Sequence, residues 1–170
     1  MAAWSAEIAN EFIRRAAAEG RALTQMQLQK LVYIAHGWNL AITGSPLTHD
    51  DPQAWDYGPV YKELWSALRS YGRNAITNEI RQKDYAPGVF DDASEATACA
   101  TLTTEETSVI DRVFRDYSRF HAFQLSALTH KEGTPWTTVY AGGLGKFDSI
   151  DNDKIREHFV GIATTAAAAA

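Results

Sequence analysis

The sequence predicts a mainly α, single helical domain of about six helices, with a small irregular or β-hairpin insertion around residues 73–103. Three observations predict it. Apolar residues recur at helical spacing through most of the chain. Gly20, Gly44 and Gly72 each stand where such a run stops. The stretch Arg73 to Thr103 lacks that period and carries a Pro87-Gly88 turn signal.

Trp4, Ile8 and Phe12 recur every four residues behind Ser5 as a cap, so the first helix is expected over Ala6 to Glu19, with Gly20 as its stop. Thr24 and Gln27 form a capping box, in which each side chain meets the other's backbone N–H. Behind it Leu28, Leu31, Val32, Ala35, Trp38 and Ile42 make the stripe of a central helix that Gly44-Ser45-Pro46 ends. Pro59, with its fixed φ, is expected to open a third helix carrying Val60, Leu64, Leu68 and Tyr71, closed by Gly72.

Between Arg73 and Thr103 the weak alternation of Thr97-Ala98-Cys99-Ala100-Thr101-Leu102 and the turn at Asp84-Tyr85-Ala86-Pro87-Gly88 suggest a loop with a short hairpin, a place where recognition commonly resides. Thr104, Glu105 and Glu106 open the next helix with charge matched to its dipole, and Val109, Ile110, Val113, Phe114 and Tyr117 form its inner stripe. A helix from His121 to Thr129 follows, then a restart at Thr134-Pro135-Trp136. Asp151 or Asn152 caps a last helix with Ile155, Phe159 and Ile162 inward. Domain and tail divide at residues 1–163 and 164–170, the latter an Ala-rich segment.

Sixteen Lys plus Arg against twenty-one Asp plus Glu leave a net charge of −5, and no basic block exists, which disfavours a phosphate-tracking surface. The single cysteine, Cys99, rules out an internal disulfide and a thiolate-rich zinc site, and fits a reducing compartment. With no secretory pattern and no long apolar run, a cytoplasmic location and no membrane association are expected.

Catalytic patterns are missing from the sequence. His121 and His130 are nine residues apart and would point to opposite sides of one helix, since each residue turns about 100°. There is no HExxH, P-loop or GxSxG pattern, and Gly142-Gly143-Leu144-Gly145 follows a helix rather than opening one. Asp148 to Asp153 fails as a calcium loop, because a required glycine is Asp153 and the closing glutamate is Phe159. No metal, no cofactor and no enzymatic activity are therefore expected.

Two segments carry the most information: Trp55-Asp56-Tyr57-Gly58-Pro59 and Thr129-His130, Glu132, Pro135-Trp136. Their structural use is as corners. Pro and Gly set chain direction, Thr134 caps a helix, His130 bonds carbonyls at a helix end and Trp136 enters the core. Asp56 is a cap or an arginine partner, and Tyr57 an exposed anchor or a core lid. Their functional use would be a concave grip on a partner, with aromatic anchors.

With the helix opening Leu28-Gln29-Lys30-Leu31-Val32-Tyr33 and its later Trp38, these segments resemble the Panacea domain family, or SocA-like antitoxins, from about Leu23 to Phe159. The resemblance implies a small helical antitoxin of a type II toxin-antitoxin system, often prophage-associated and encoded beside a toxin. It implies a cognate toxin protein as partner, neutralised by direct contact, and as a variant a protease to which the bound toxin is delivered. The motif residues Trp55, Asp56, Tyr57, Gly58, Pro59, Thr129, His130, Glu132, Pro135 and Trp136 are the partner-binding candidates. A rival reading is a DNA-binding autoregulator using Gln25, Gln27, Gln29 and Lys30, which the negative charge disfavours. The oligomeric state is left open.

Overall fold

The computed structural model describes residues 1–85 and 95–169. Its organising element is α2, Gln25–Thr43, in which ten consecutive residues, Leu28 to Gly37, are buried. A helix covered on every side must be surrounded, and α2 is: α1 (Ser5–Ala18), α5 (Thr104–Tyr117), α6 (Ala122–Thr129) and α8 (Asn152–Ala169) all pack on it. Its start is the expected capping box, with the Thr24 N–H donating to Gln27 Oε1 at 2.9 Å and Gly44 closing the other end at φ 75°. The contact with α8 is close enough that a Cβ at Gly37 would lie 2.2 Å from the Phe159 ring. Ile42, assigned to the inner stripe by spacing, is instead 66% exposed at the far end of the helix.

Ser5 is not the cap of α1. Trp4 is, its N–H bonded to Glu7, while Ser5 is fully buried and bonds Asp50 through both its N–H and its hydroxyl. The expected hairpin also lies elsewhere. β1 (Gln53–Trp55) and β2 (Gly58–Val60) pair antiparallel, so the Trp55-to-Pro59 motif is itself the hairpin, turning through Asp56 and Tyr57. Pro59 therefore sits in a strand and opens no helix. It is tolerated because its partner Ala54 directs its own N–H to Asp148 and receives the N–H of Phe147, so the pair demands no donor from proline.

The third helix, α3, starts later than expected, at Lys62, and runs to Leu68. A 3-10 turn over Arg69–Tyr71 then ends at Gly72, φ 57°. Within 73–103 the described residues hold α4 (Gln82–Tyr85) and take part in two bridges, Ala75 with Thr24 and Arg81 with Thr97, and Ile76, Ile80, Tyr85 and Ala98 are buried. Buried Asn10 fastens this stretch, donating to Ile80 O and Ala98 O and accepting from the Ile80 N–H. The Pro87-Gly88 turn falls outside the described residues.

α5 is capped by Thr103, one residue before the expected start, with Glu106 completing the box. α7 (Pro135–Tyr140) follows Thr134 as cap with Pro135 at its first position, as the sequence indicated. Asp151 is the residue that caps α8, accepting from the Asp153 N–H at 2.7 Å, whereas Asn152 turns its side chain to His36. Only Ile155 and Phe159 of α8 are buried; Ile162 is 41% exposed, and the Ala-rich segment continues the helix to Ala169. Among the described residues no helix is long and apolar enough to cross a membrane.

Candidate functional site

The three motif segments meet at one junction. The hairpin lies against the start of α2 on one side and against α6 and α7 on the other. Gln29, on α2, holds the residue after β2 through two bonds, donating to Tyr61 O at 3.1 Å and accepting from the Tyr61 N–H at 2.8 Å. Lys30 is wholly buried and donates from Nζ to Pro59 O at 2.8 Å. From the opposite side the Ser126 hydroxyl donates to Tyr57 O and the Trp136 indole N–H to Trp55 O, each at 2.7 Å.

Gly58, at φ 107°, is where these elements come closest. A Cβ there would stand 3.0 Å from Thr129 Oγ1 and 3.1 Å from Lys30 Nζ. A side chain at this turn would have both the wrong backbone conformation and no room.

His130 ends α6 with its Nδ1 against Ser126 O, and its ring meets Trp136 edge to face at 5.0 Å. Trp136 stacks on Tyr140 at 4.5 Å. The Tyr140 hydroxyl and the Lys146 ammonium both donate to Asp56, at 2.7 and 2.8 Å, so Asp56 is neither a helix cap nor an arginine partner. The Lys146 bond, then the Tyr140 bond, holds its carboxyl below the usual range. Trp55 packs between Trp65 and Phe147, and Phe147 sits at φ 71°, a strained position for a bulky residue. Tyr57 is 67% exposed, and Glu132 is exposed with no side-chain bond among the described residues.

Nine of the ten motif candidates thus belong to one connected assembly, and Glu132 stands apart from it. Gln29, Lys30, Ser126, Tyr140 and Lys146 complete the assembly and were not singled out for this role by sequence reasoning. The available signal was the polar pair Gln29-Lys30 itself, set between Leu28 and the apolar run Leu31-Val32-Tyr33-Ile34.

Burial pushes the Lys30 amine down to about 7. Its bonded neighbour is the Pro59 carbonyl, which accepts a hydrogen bond from the amine but offsets little of the cost of burying its charge. The unfolded amine holds its proton up to about pH 10.4, so stability rises as pH climbs from about 7 toward that value. Urea unfolding should show a gain on the order of 2 kcal/mol between pH 7 and 9, and Lys30→Met should abolish the gain. An unchanged slope in the variant would mean that the amine is not held as described.

The model of the SocA-like antitoxin, Panacea domain, family matches residues 28–137, most of the chain. The chain belongs to this family. The match runs from Leu28, the start of the buried part of α2, to Thr137, just past Trp136, so the Panacea domain match takes in the Gln29 and Lys30 clamps, the hairpin and the α6–α7 corner. It leaves out α1 and α8, although α8 packs on α2 within the same body. Over 163 residues the chain is also 29% identical to Antitoxin SocA of Caulobacter vibrioides (strain NA1000 / CB15N), covering 92% of this chain and 84% of that protein. No solved structure matches significantly.

In this Panacea domain the described residues contain no group of three or more His, Cys, Asp and Glu able to hold a metal ion. The residues offered for base reading are largely spent: Gln29 and Lys30 are buried and bonded to Tyr61 and Pro59, and Gln27 caps its own helix and donates to Phe120 O.

Proposed function

We propose that this Panacea-domain chain neutralises a cognate toxin protein by direct contact, in the cytoplasm, as a stoichiometric complex in which no covalent bond is made or broken. The observation that carries the reading is membership of an antitoxin family across residues 28–137, together with similarity to Antitoxin SocA along nearly the whole chain. The motif junction supports it in an indirect way. Its polar groups are committed to one another, as expected of a rigid scaffold that presents a preformed surface, and binding by a rigid surface loses less conformational entropy.

Inhibition then works by occlusion. The antitoxin covers or distorts the toxin's working surface, with a few buried anchors supplying most of the binding energy. The test is co-expression with the neighbouring reading frame. The neighbour alone should arrest growth, and this chain should relieve the arrest and copurify with it. A harmless neighbour that does not copurify would overturn the reading. Following the toxin's level over time separates storage of the complex from its delivery to a protease.

His130 provides a second check, since histidine is the commonest acid–base group in catalysis and this one lies in the family motif. Its ring contacts Ser126 O and the Trp136 edge, so His130→Ala should cost about 1 kcal/mol of stability and leave protection from the toxin intact. Loss of protection in a variant that remains folded would point to chemistry at this position.

A further inference from the structure

In a chain of net charge −5, the stretch from Leu64 to Asn78 holds two arginines and no carboxylate. On α3 and the turn that follows it, Lys62, Arg69 and Arg73 are exposed, and none of the three joins an ion pair among the described residues. Trp65 stands three residues after Lys62 and four before Arg69, so its ring lies between two unpaired cations on one helix face.

Trp65 also begins a row of rings. It packs on Trp55 at 5.4 Å, and Trp55 on Phe147 at 5.3 Å, so the row runs from α3 across the hairpin to the segment before α8. Its two ends face solvent, Trp65 at 36% and Phe147 at 53% exposure. Lys146 lies over the Phe147 ring at 5.1 Å, but its charge is spent on Asp56. The unspent charge is at the α3 end.

Two features of this face cost the free protein stability. Phe147 is held at φ 71°, its N–H bonded to Ala54 O, a conformation that is unfavourable for a bulky side chain and that collects at sites of recognition. Lys62 opens α3, where the helix dipole disfavours a cation. Neither cost is recovered by a contact within the chain: the Phe147 ring is half exposed, and Lys62 has no carboxylate partner among the described residues.

We propose that this face binds an acidic segment of the cognate toxin, one apolar side chain of which covers the Trp65–Trp55–Phe147 row while its carboxylates meet Lys62, Arg69 and Arg73. The inference rests on the toxin-binding reading above. Unpaired cations select an acidic partner, and the negative charge of the remaining surface repels such a partner elsewhere, which fixes where it docks. The rings meet at 53° and 83°, so they form a bent apolar surface rather than a ladder of parallel faces for successive bases, which favours a polypeptide over a nucleic-acid strand.

The experiment uses the full chain and the polypeptide of the neighbouring reading frame, measuring urea midpoints of the free antitoxin and the Kd of the complex in low and high salt. The double variant Lys62→Glu, Arg69→Glu should be at least as stable as the parent, because a carboxylate suits the start of α3, yet bind at least about thirtyfold more weakly. Raising NaCl from about 0.05 M to 0.5 M should weaken the parent complex about tenfold and the double variant's much less. Phe147→Gly removes the exposed ring together with the backbone strain, so its midpoint should stay near the parent's while binding falls about tenfold. Lys154→Glu, at an exposed position on α8, should bind as the parent does.

If the parent binds and the double variant binds equally well at both salt concentrations, the α3 face is wrong while toxin binding stands. If Lys154→Glu is the variant that loses binding, the contact lies on α8 and the proposal falls. It falls also if a single-stranded oligonucleotide binds the parent and not the double variant, or if the free protein is a dimer that the double variant dissociates. Should Phe147→Gly fail to fold, the charge variants decide alone. If the parent binds nothing at either salt concentration, the underlying reading falls and this one with it.

Discussion

Replacing Trp136 with alanine is expected to cost the fold about 3–5 kcal/mol, the usual range for removing a large buried aromatic. Three losses combine in this one change. The indole leaves a cavity where α7 meets the hairpin, since Trp136 is buried among His130, Tyr140 and the Trp55 backbone. Trp55 O loses its indole donor, a hydrogen bond of about 0.5–1.5 kcal/mol, while its strand partner Gly58 remains opposite. The stacked Tyr140 loses the ring that positions its hydroxyl on Asp56. Urea unfolding reads the total, and Trp136→Phe separates the parts: ring volume is mostly kept and the N–H removed, so a loss of about 1–2 kcal/mol is expected. A cost below about 1 kcal/mol for Trp136→Ala would mean that this corner is not a structural joint.

The second large effect is acid sensitivity centred on His36. This imidazole is buried on α2 with Nδ1 accepting from the Thr48 N–H at 3.2 Å, which leaves Nε2 as the protonated nitrogen, facing Asn152 Oδ1 at 2.7 Å. Burial pulls it down to about 4, opposed in part by the Asn152 bond and the charge of Asp51. The unfolded ring takes up its proton near pH 6.5 and the folded ring only near 4, so stability is full above 6.5 and falls as pH drops through that window.

The loss attributable to His36 is about 3 kcal/mol by pH 4. Burial also lowers His158, which acts in the same sense, while Asp50 is raised by burial and acts oppositely as the pH rises past its ordinary value. The clean measurement is therefore a difference: urea midpoints of parent and His36→Gln between pH 7 and 4.5. The parent should lose more than the variant. Equal losses, or an NMR titration of His36 near 6.5, would contradict this account.

These residues show why part of the site was legible in the sequence and part was not. Thr134-Pro135 carries its own instruction, because a threonine cap and a proline at the first helical position depend on local geometry alone. Thr24 with Gln27 is of the same kind. Pro59 followed the same rule and misled it. A proline after a glycine reads as a helix start until Ala54 is known to spend its backbone groups on the segment at Phe147 and Asp148, more than eighty residues later. Ser5 misled similarly, since its hydroxyl has a distant and charged alternative in Asp50.

What the chain alone determined is what short-range physics governs: a mainly helical class, the caps and stops of most helices, and the ordered motifs that place it in an antitoxin family. The tertiary structure decided which polar side chains are spent inside and which are free. Gln29, Lys30 and His36 look like ordinary helix residues until the hairpin, Tyr61, Thr48 and Asn152 close over them, while the Tyr33 hydroxyl is left unmatched among the described residues. The reason is that periodicity records which face of a helix is apolar, whereas the pairing of a buried donor depends on groups brought from far along the chain.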